Sequence, residues 1–145
     1  MTAYEVKSYM SQCWRIKKEM KAKYSAILEL RSQAESTTAN LTGMPSSHNE
    51  GSKVENFAIM LVTMRDDLEE CENKLGEVQQ QTLRMIEYAS DPLARAILTE
   101  YHFNGKTAEQ TAESVGYSRV QVFRIMNKAY DEIAAKMILN ETVVL

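Results

Sequence analysis

Apolar residues recur along the first part of the chain at alternating intervals of three and four. One stripe runs through Val6, Tyr9, Cys13, Ile16, Met20, Lys23, Ile27, Leu30 and Ala34, interrupted only by Lys23. A second starts at Val54 and follows the same spacing through Phe57, Leu61, Met64, Leu68, Cys71, Leu75, Val78, Thr82 and Met85 to Ala89. A mean interval of 3.5 residues keeps a narrow seam on one side of a helix, so each run predicts a long helix of the coiled-coil type. Between them the segment 37–53 is rich in Ser, Thr, Asn and Gly and holds Pro45, which is the composition of a loop. Residues 1–89 should therefore form an antiparallel helical hairpin. Folding about Pro45 sets side by side residues whose numbers sum to about 90, with Cys13 near Glu77 and Cys71 near Glu19.

Past Ala89 the pattern shortens. Ser90, Asp91 and Pro92 read as a helix end, an Asp cap and a proline in the first turn of a new helix, so residues 90–145 are expected to form a second domain. Its first helix carries Leu93, Ala96, Ile97 and Tyr101 on one face and stops at Asn104 and Gly105. Thr107 with Gln110, and Ser118 with Gln121, have capping-box spacing and open two further short helices, separated by little more than Gly116 and Tyr117. Ala112, Gly116 and Val122 stand where a helix-turn-helix needs them. The first is a small residue where two helices touch, the second a glycine for the left-handed turn, and the third a β-branched residue that locks the second helix onto the first. The fold class expected is all-α, a long antiparallel hairpin followed by a trihelical helix-turn-helix domain. The same spacing would also fit a three-helix bundle that binds no DNA.

Composition narrows the function. In 145 residues there are five Gly and two Pro, which suits one or two small helical domains. No apolar stretch reaches the roughly 18 to 20 residues of a membrane span, and no signal-like segment opens the chain, so a soluble intracellular protein with no membrane partner is expected. Charge is divided between the arms: residues 1–36 hold seven Lys/Arg against four Asp/Glu, and residues 54–89 three against eight. These arms attract each other. The last 55 residues hold six Lys/Arg against seven Asp/Glu, yet no acid occurs from Ser114 to Tyr130, where Arg119, Arg124 and Lys128 all lie. With Val122, Met126, Ala129 and Ile133 turned inward, the third helix presents a basic outer face, as a helix entering the major groove requires.

The candidate contacts to double-stranded DNA follow. Arg119, Arg124 and Lys128 line the outer face, and Arg119 meets base or phosphate from the helix start. Ser118 and Gln121 serve either as a cap or, for Gln121, as a reader of adenine. Phe123 either touches a thymine methyl or packs on the hairpin. Lys106 and Thr107, at the start of the second short helix, suit a phosphate, though capping alone accounts for Thr107. An enzyme lacks its parts: His48 and His102 have no evident partner, the pairs Asp66-Asp67 and Glu69-Glu70 sit off the seam, and no zinc spacing, glycine-rich phosphate loop or cofactor motif occurs. Phe57, Ile59, Met60 and Val62 are apolar all round the start of the second helix, and Met10, Trp14, Tyr24 and Leu28 form an off-seam set on the first. Folding back of the C-terminal bundle would cover the region of Trp14. The patch of Phe57, Ile59, Met60 and Val62 is assigned to self-association, with a homodimer expected.

Several of these features occur together in one known family. The Leu41-Thr-Gly43-Met44-Pro45 loop, the Ser52-Lys-Val54-Glu55 helix start and the stretch from Asn104-Gly105-Lys106-Thr107 to Arg124 resemble the ArpU-like and RinA-like phage transcriptional regulators, over nearly the whole chain. Their C-terminal part is similar to region 4 of a bacterial sigma factor. The resemblance implies a phage or prophage regulator, an activator of late genes, acting in the host cytoplasm with host RNA polymerase as a further partner. Two other classes fit the same elements. One is a DNA-packaging protein like a small terminase subunit, which usually places its DNA-binding unit first rather than last. The other is a protein-binding adaptor with a degenerate helix-turn-helix.

Overall fold

The computed structural model describes residues 1–40 and 48–144, with side chains for 1–36 and 53–141. The described residues form five α-helices and no strand: α1 Ala3–Asn40, α2 His48–Ile86, α3 Pro92–Leu98, α4 Ala108–Val115 and α5 Arg119–Val144. The long helices α1 and α2 pack together. No helix among the described residues is long and apolar enough to cross a membrane.

Both long helices run further than composition predicts, α1 to Asn40 and α2 from His48, so the expected loop 37–53 is helical at both ends. Once a helix is nucleated, each added residue gains a hydrogen bond, and that offsets the few tenths of a kcal/mol by which Ser, Thr and Asn disfavour it. The Leu41 to Pro45 motif lies outside the described residues.

Contacts gather the chain into two compact units, Met1–Ile16 with Leu75–Leu145, and Lys17–Lys74. In the second unit Ile27 and Leu30 are buried and Leu61, Met64, Leu68 and Cys71 are half-buried, as the stripes require. Lys23, the break in the first stripe, has a partner there: its Nζ donates to Cys71 Sγ at 3.4 Å and pairs with Glu19 at 3.3 Å. In the first unit Cys13 Sγ and Thr82 Oγ1 are 3.7 Å apart. The register therefore differs from a fold about Pro45. Cys13 faces Thr82 instead of Glu77, and Cys71 faces Lys23 instead of Glu19. All four are stripe members, so interlocking of the seams sets the register, whereas the midpoint of the loop does not.

The first unit has one core, built from α1, α2 and the C-terminal helices together. Val6 and Met10 of α1 and Met85 and Ile86 of α2 are buried in the same cluster as Ile97, Leu98, Val122, Met126 and Ile133. Asp91 caps α3, accepting from the Leu93 amide at 3.0 Å, with Pro92 in the first turn. The buried face of α3 is Ala94, Ile97 and Leu98, while Ala96 is exposed, so the face expected through Leu93, Ala96 and Tyr101 is rotated by one residue, about 100°. The reason lies at its end: α3 widens into a π turn over Thr99–Phe103, where the Asn104 amide donates to the Thr99 carbonyl at 2.9 Å. That turn swings His102 inward, where its Nε2 shares a 2.6 Å hydrogen bond with the Tyr130 hydroxyl.

Helix α5 is long, contrary to the short third helix expected. Glu132 accepts from the Ser90 amide at 2.7 Å, and Asn140 Nδ2, about two turns further on, donates to the Tyr88 hydroxyl at 2.9 Å, so α5 is tied at two levels to the segment after α2. Lys136 and the Ser90 amide hold the Glu132 carboxyl down at a pKa of about 2.

Candidate nucleic-acid interface

Local sequence chemistry sets the geometry of α4 and α5. Thr107 Oγ1 accepts from the Gln110 amide at 3.1 Å and Gln110 Oε1 from the Thr107 amide at 3.0 Å, closing a capping box at the start of α4. The helix ends on Gly116, whose φ of 75° lies in the left-handed region, and the amides of Gly116 and Tyr117 both donate to the Ala112 carbonyl. A second capping box follows at once: Ser118 Oγ accepts from the Gln121 amide at 3.2 Å and Gln121 Oε1 from the Ser118 amide at 3.0 Å. The two residues of turn, Gly116 and Tyr117, between the end of α4 and the second box leave little freedom in the angle between the helices. Thr111, Ala112 and Val122, all buried, fill the contact.

The inner face of α5 is Val122, Met126, Ala129, Tyr130 and Ile133, all at most 3% exposed. Its outer face carries Val120, Gln121, Arg124, Asn127 and Lys128, all exposed. Among the described residues neither Arg124 nor Lys128 is in an ion pair. Arg119 and Lys106 differ from them. Arg119 Nη1 lies 2.9 Å from Glu109 Oε1, and its guanidinium stands 5.5 Å from the centre of the Phe123 ring. Lys106 pairs with Glu100 and donates to Ser114 Oγ at 3.1 Å, and the Lys106 ammonium lowers the Glu100 carboxyl pKa.

The alternatives left open by sequence take these forms. Gln121 and Ser118 use their side-chain oxygens in the cap, and Thr107 does the same. Phe123 is half-buried against the core and lines a cleft of about 340 Å³ with Trp14, Tyr101, Thr107 and Arg119. Of the off-seam set on α1, Met10 is wholly buried, while Trp14, at the cleft, is 54% exposed. His102 is buried and its pKa falls to about 4, first through loss of water and then through the nearby Lys7 charge. Burial also pushes the Tyr130 hydroxyl well up.

Two features of this surface escape sequence reading. Val120 is 61% exposed at the head of α5, which the apolar pattern alone would have sent inward, but its place one turn before Arg124 marks it as outer. Glu109 lies on α4, and nothing local signals that it reaches Arg119. The described residues hold no cluster of three potential metal ligands. Phe57 is half-buried, and Ile59, Met60 and Val62 are exposed. No family model, curated protein or solved structure matches the chain.

Proposed function

We propose that this protein is a sequence-specific DNA-binding transcription regulator that reads the major groove with the first half of α5, as part of a helix-turn-helix formed with α4. One observation carries the reading: a helix set at a fixed angle by the Gly116 turn and the Ser118–Gln121 capping box presents Val120, Arg124 and Lys128 outward on a face that carries no acid before Asp131. Arg suits guanine, Lys a phosphate, and an exposed Val a thymine methyl. Lys106 and Arg119 complete the phosphate contacts once DNA displaces Glu100 and Glu109. The resemblance to the ArpU-like and RinA-like regulators belongs to the same proposal, with late promoters as target, host RNA polymerase as partner and the host cytoplasm as place of action. So does pairing of two copies on one site, since a single head of this size covers few base pairs.

Selection of bound sequences from random DNA by the purified protein tests it. A recovered motif, with affinity that falls steeply in KCl at roughly 0.9 log units per phosphate contact, is the expected result. No enrichment removes the reading. A protein-binding adaptor is favoured by the neutralisation of Arg119 and Lys106 within the chain, and it predicts no enrichment.

A further inference from the structure

Three of the exposed apolar side chains of the unit 17–74, Tyr24, Leu28 and Val62, share one flank. At 100° per residue from the seam, Tyr24 and Leu28 of α1 fall in a second row with Lys17, Lys21 and Arg31. On α2, Val62, Arg65, Glu69 and Glu72 hold the equivalent row, and antiparallel helices turn equivalent rows to the same side. Ile59 points away from the seam, between this flank and the opposite one. Tyr24, Leu28, Ile59 and Val62 are 57%, 48%, 61% and 58% exposed. The contact of Lys23 with Cys71 sets their heights and brings Leu28 level with Asp66, about one helical turn from Val62. Three large apolar groups thus lie on one side of a two-helix unit whose seam cannot cover them.

Charge splits this face lengthwise. The α1 row carries Lys17, Lys21 and Arg31, and the α2 row carries Glu69 and Glu72 with Arg65 between Val62 and Glu69. We propose that the face docks a second copy of the chain, with α1 of one protomer on α2 of its partner about a twofold axis parallel to the helices. Charge chooses between the two ways of closing such a bundle. A twofold across the helices sets α1 on α1, basic on basic, whereas a twofold along them sets the basic row on the acidic row twice over. Lys17 and Lys21 then face the acidic row of the partner, and the Tyr24, Leu28 and Val62 sets close the interior of a four-helix bundle. Phe57 belongs to the seam, Met60 to the opposite flank and Ile59 points away from the seam, so Val62 carries the contact from the patch recognised in the sequence.

The interface supplies the pairing on which the DNA reading draws but does not depend on it: a dimer that binds no DNA leaves the interface standing and removes that reading. Light scattering after gel filtration of the full chain tests it. The wild type is expected to be a dimer, and Lys17→Glu with Lys21→Glu, or Glu69→Lys with Glu72→Lys, is expected to raise its dissociation constant by about tenfold or more. Mixing the two charge variants should restore a heterodimer. Leu28→Glu with Val62→Glu should give a monomer of unchanged helicity, and should that variant fail to fold, the mixing experiment stands by itself. A wild type monomeric at about 50 μM, or charge variants that dimerise as well alone as mixed, would overturn the proposal.

Discussion

Arg124 and Arg119 are the same residue type five positions apart, yet their surroundings set them to different tasks. Arg124 is exposed and outside any ion pair among the described residues, whereas Glu109 holds Arg119. Replacing Arg124 by Ala should weaken binding to the best DNA site by about 1 to 3 kcal/mol and leave the thermal midpoint nearly unchanged, as fluorescence anisotropy and calorimetry would show. Glu109→Gln should act the opposite way, tightening binding by at most about fivefold, because an exposed ion pair contributes up to about 1 kcal/mol. The acid-free run from Ser114 made both arginines legible in the sequence. The pairing of Arg119 was not legible, since Glu109 stands ten positions earlier on another helix. His102 has the clearest single effect on stability. Its folded pKa of about 4 lies below the ordinary 6.5, so above pH 6.5 it is neutral folded or unfolded and contributes no pH dependence. Below that the unfolded chain takes up a proton that the folded chain refuses until about pH 4, and stability falls across this window by about 3 kcal/mol. Urea unfolding between pH 7 and 4 should show this loss, and His102→Gln should flatten it. An equal slope in both proteins would mean that the carboxylates set it.

The starts of α3, α4 and α5 and the end of α4 are each fixed by a short-range signal, which is why they could be read without a structure. Asp91 with Pro92, Thr107 with Gln110, Ser118 with Gln121, and Gly116 each occupy the expected cap. Two things were not legible. The register of α1 on α2 depends on which stripe residues interlock, and Cys13 with Thr82 is a choice that a symmetric fold about Pro45 misses. The length of α5 depends on Ser90 and Tyr88, side partners far away in sequence. Gly116 tests the value of a local signal. A Cβ there would meet nothing within 4 Å, so a side chain has room and the cost lies in the backbone alone. Gly116→Ala is expected to lower stability by about 1 to 2 kcal/mol, the strain of an L-residue in the left-handed region. A change well above that would indicate that the angle between α4 and α5 had shifted, and DNA affinity would then fall with it.

At the scale of the molecule, chain order and packing order differ. Sequence suggests a reading domain that begins at Ser90, yet the core beneath α4 and α5 includes Val6 and Met10 from the start of α1 and Met85 and Ile86 from the end of α2. All four are at most 2% exposed. Removing them from water stabilises the fold by about 1.5 to 3 kcal/mol apiece. Their sum, roughly 6 to 12 kcal/mol, is comparable with the 5 to 15 kcal/mol that separates a whole domain from its unfolded state. A fragment of residues 90–145 keeps both capping boxes, the Gly116 turn and every proposed DNA contact, so it has the full proposed reading surface without the floor under it. It is expected to show partial helicity and no cooperative thermal transition, and to bind the selected DNA site far more weakly than the intact chain. Met10→Ala in the full chain asks the same question with one cavity and should cost about 2 to 5 kcal/mol. Were the fragment to unfold sharply near the midpoint of the whole protein, the shared core would be dispensable. Residues 90–145 would then be a freestanding domain of the kind the sequence alone suggests.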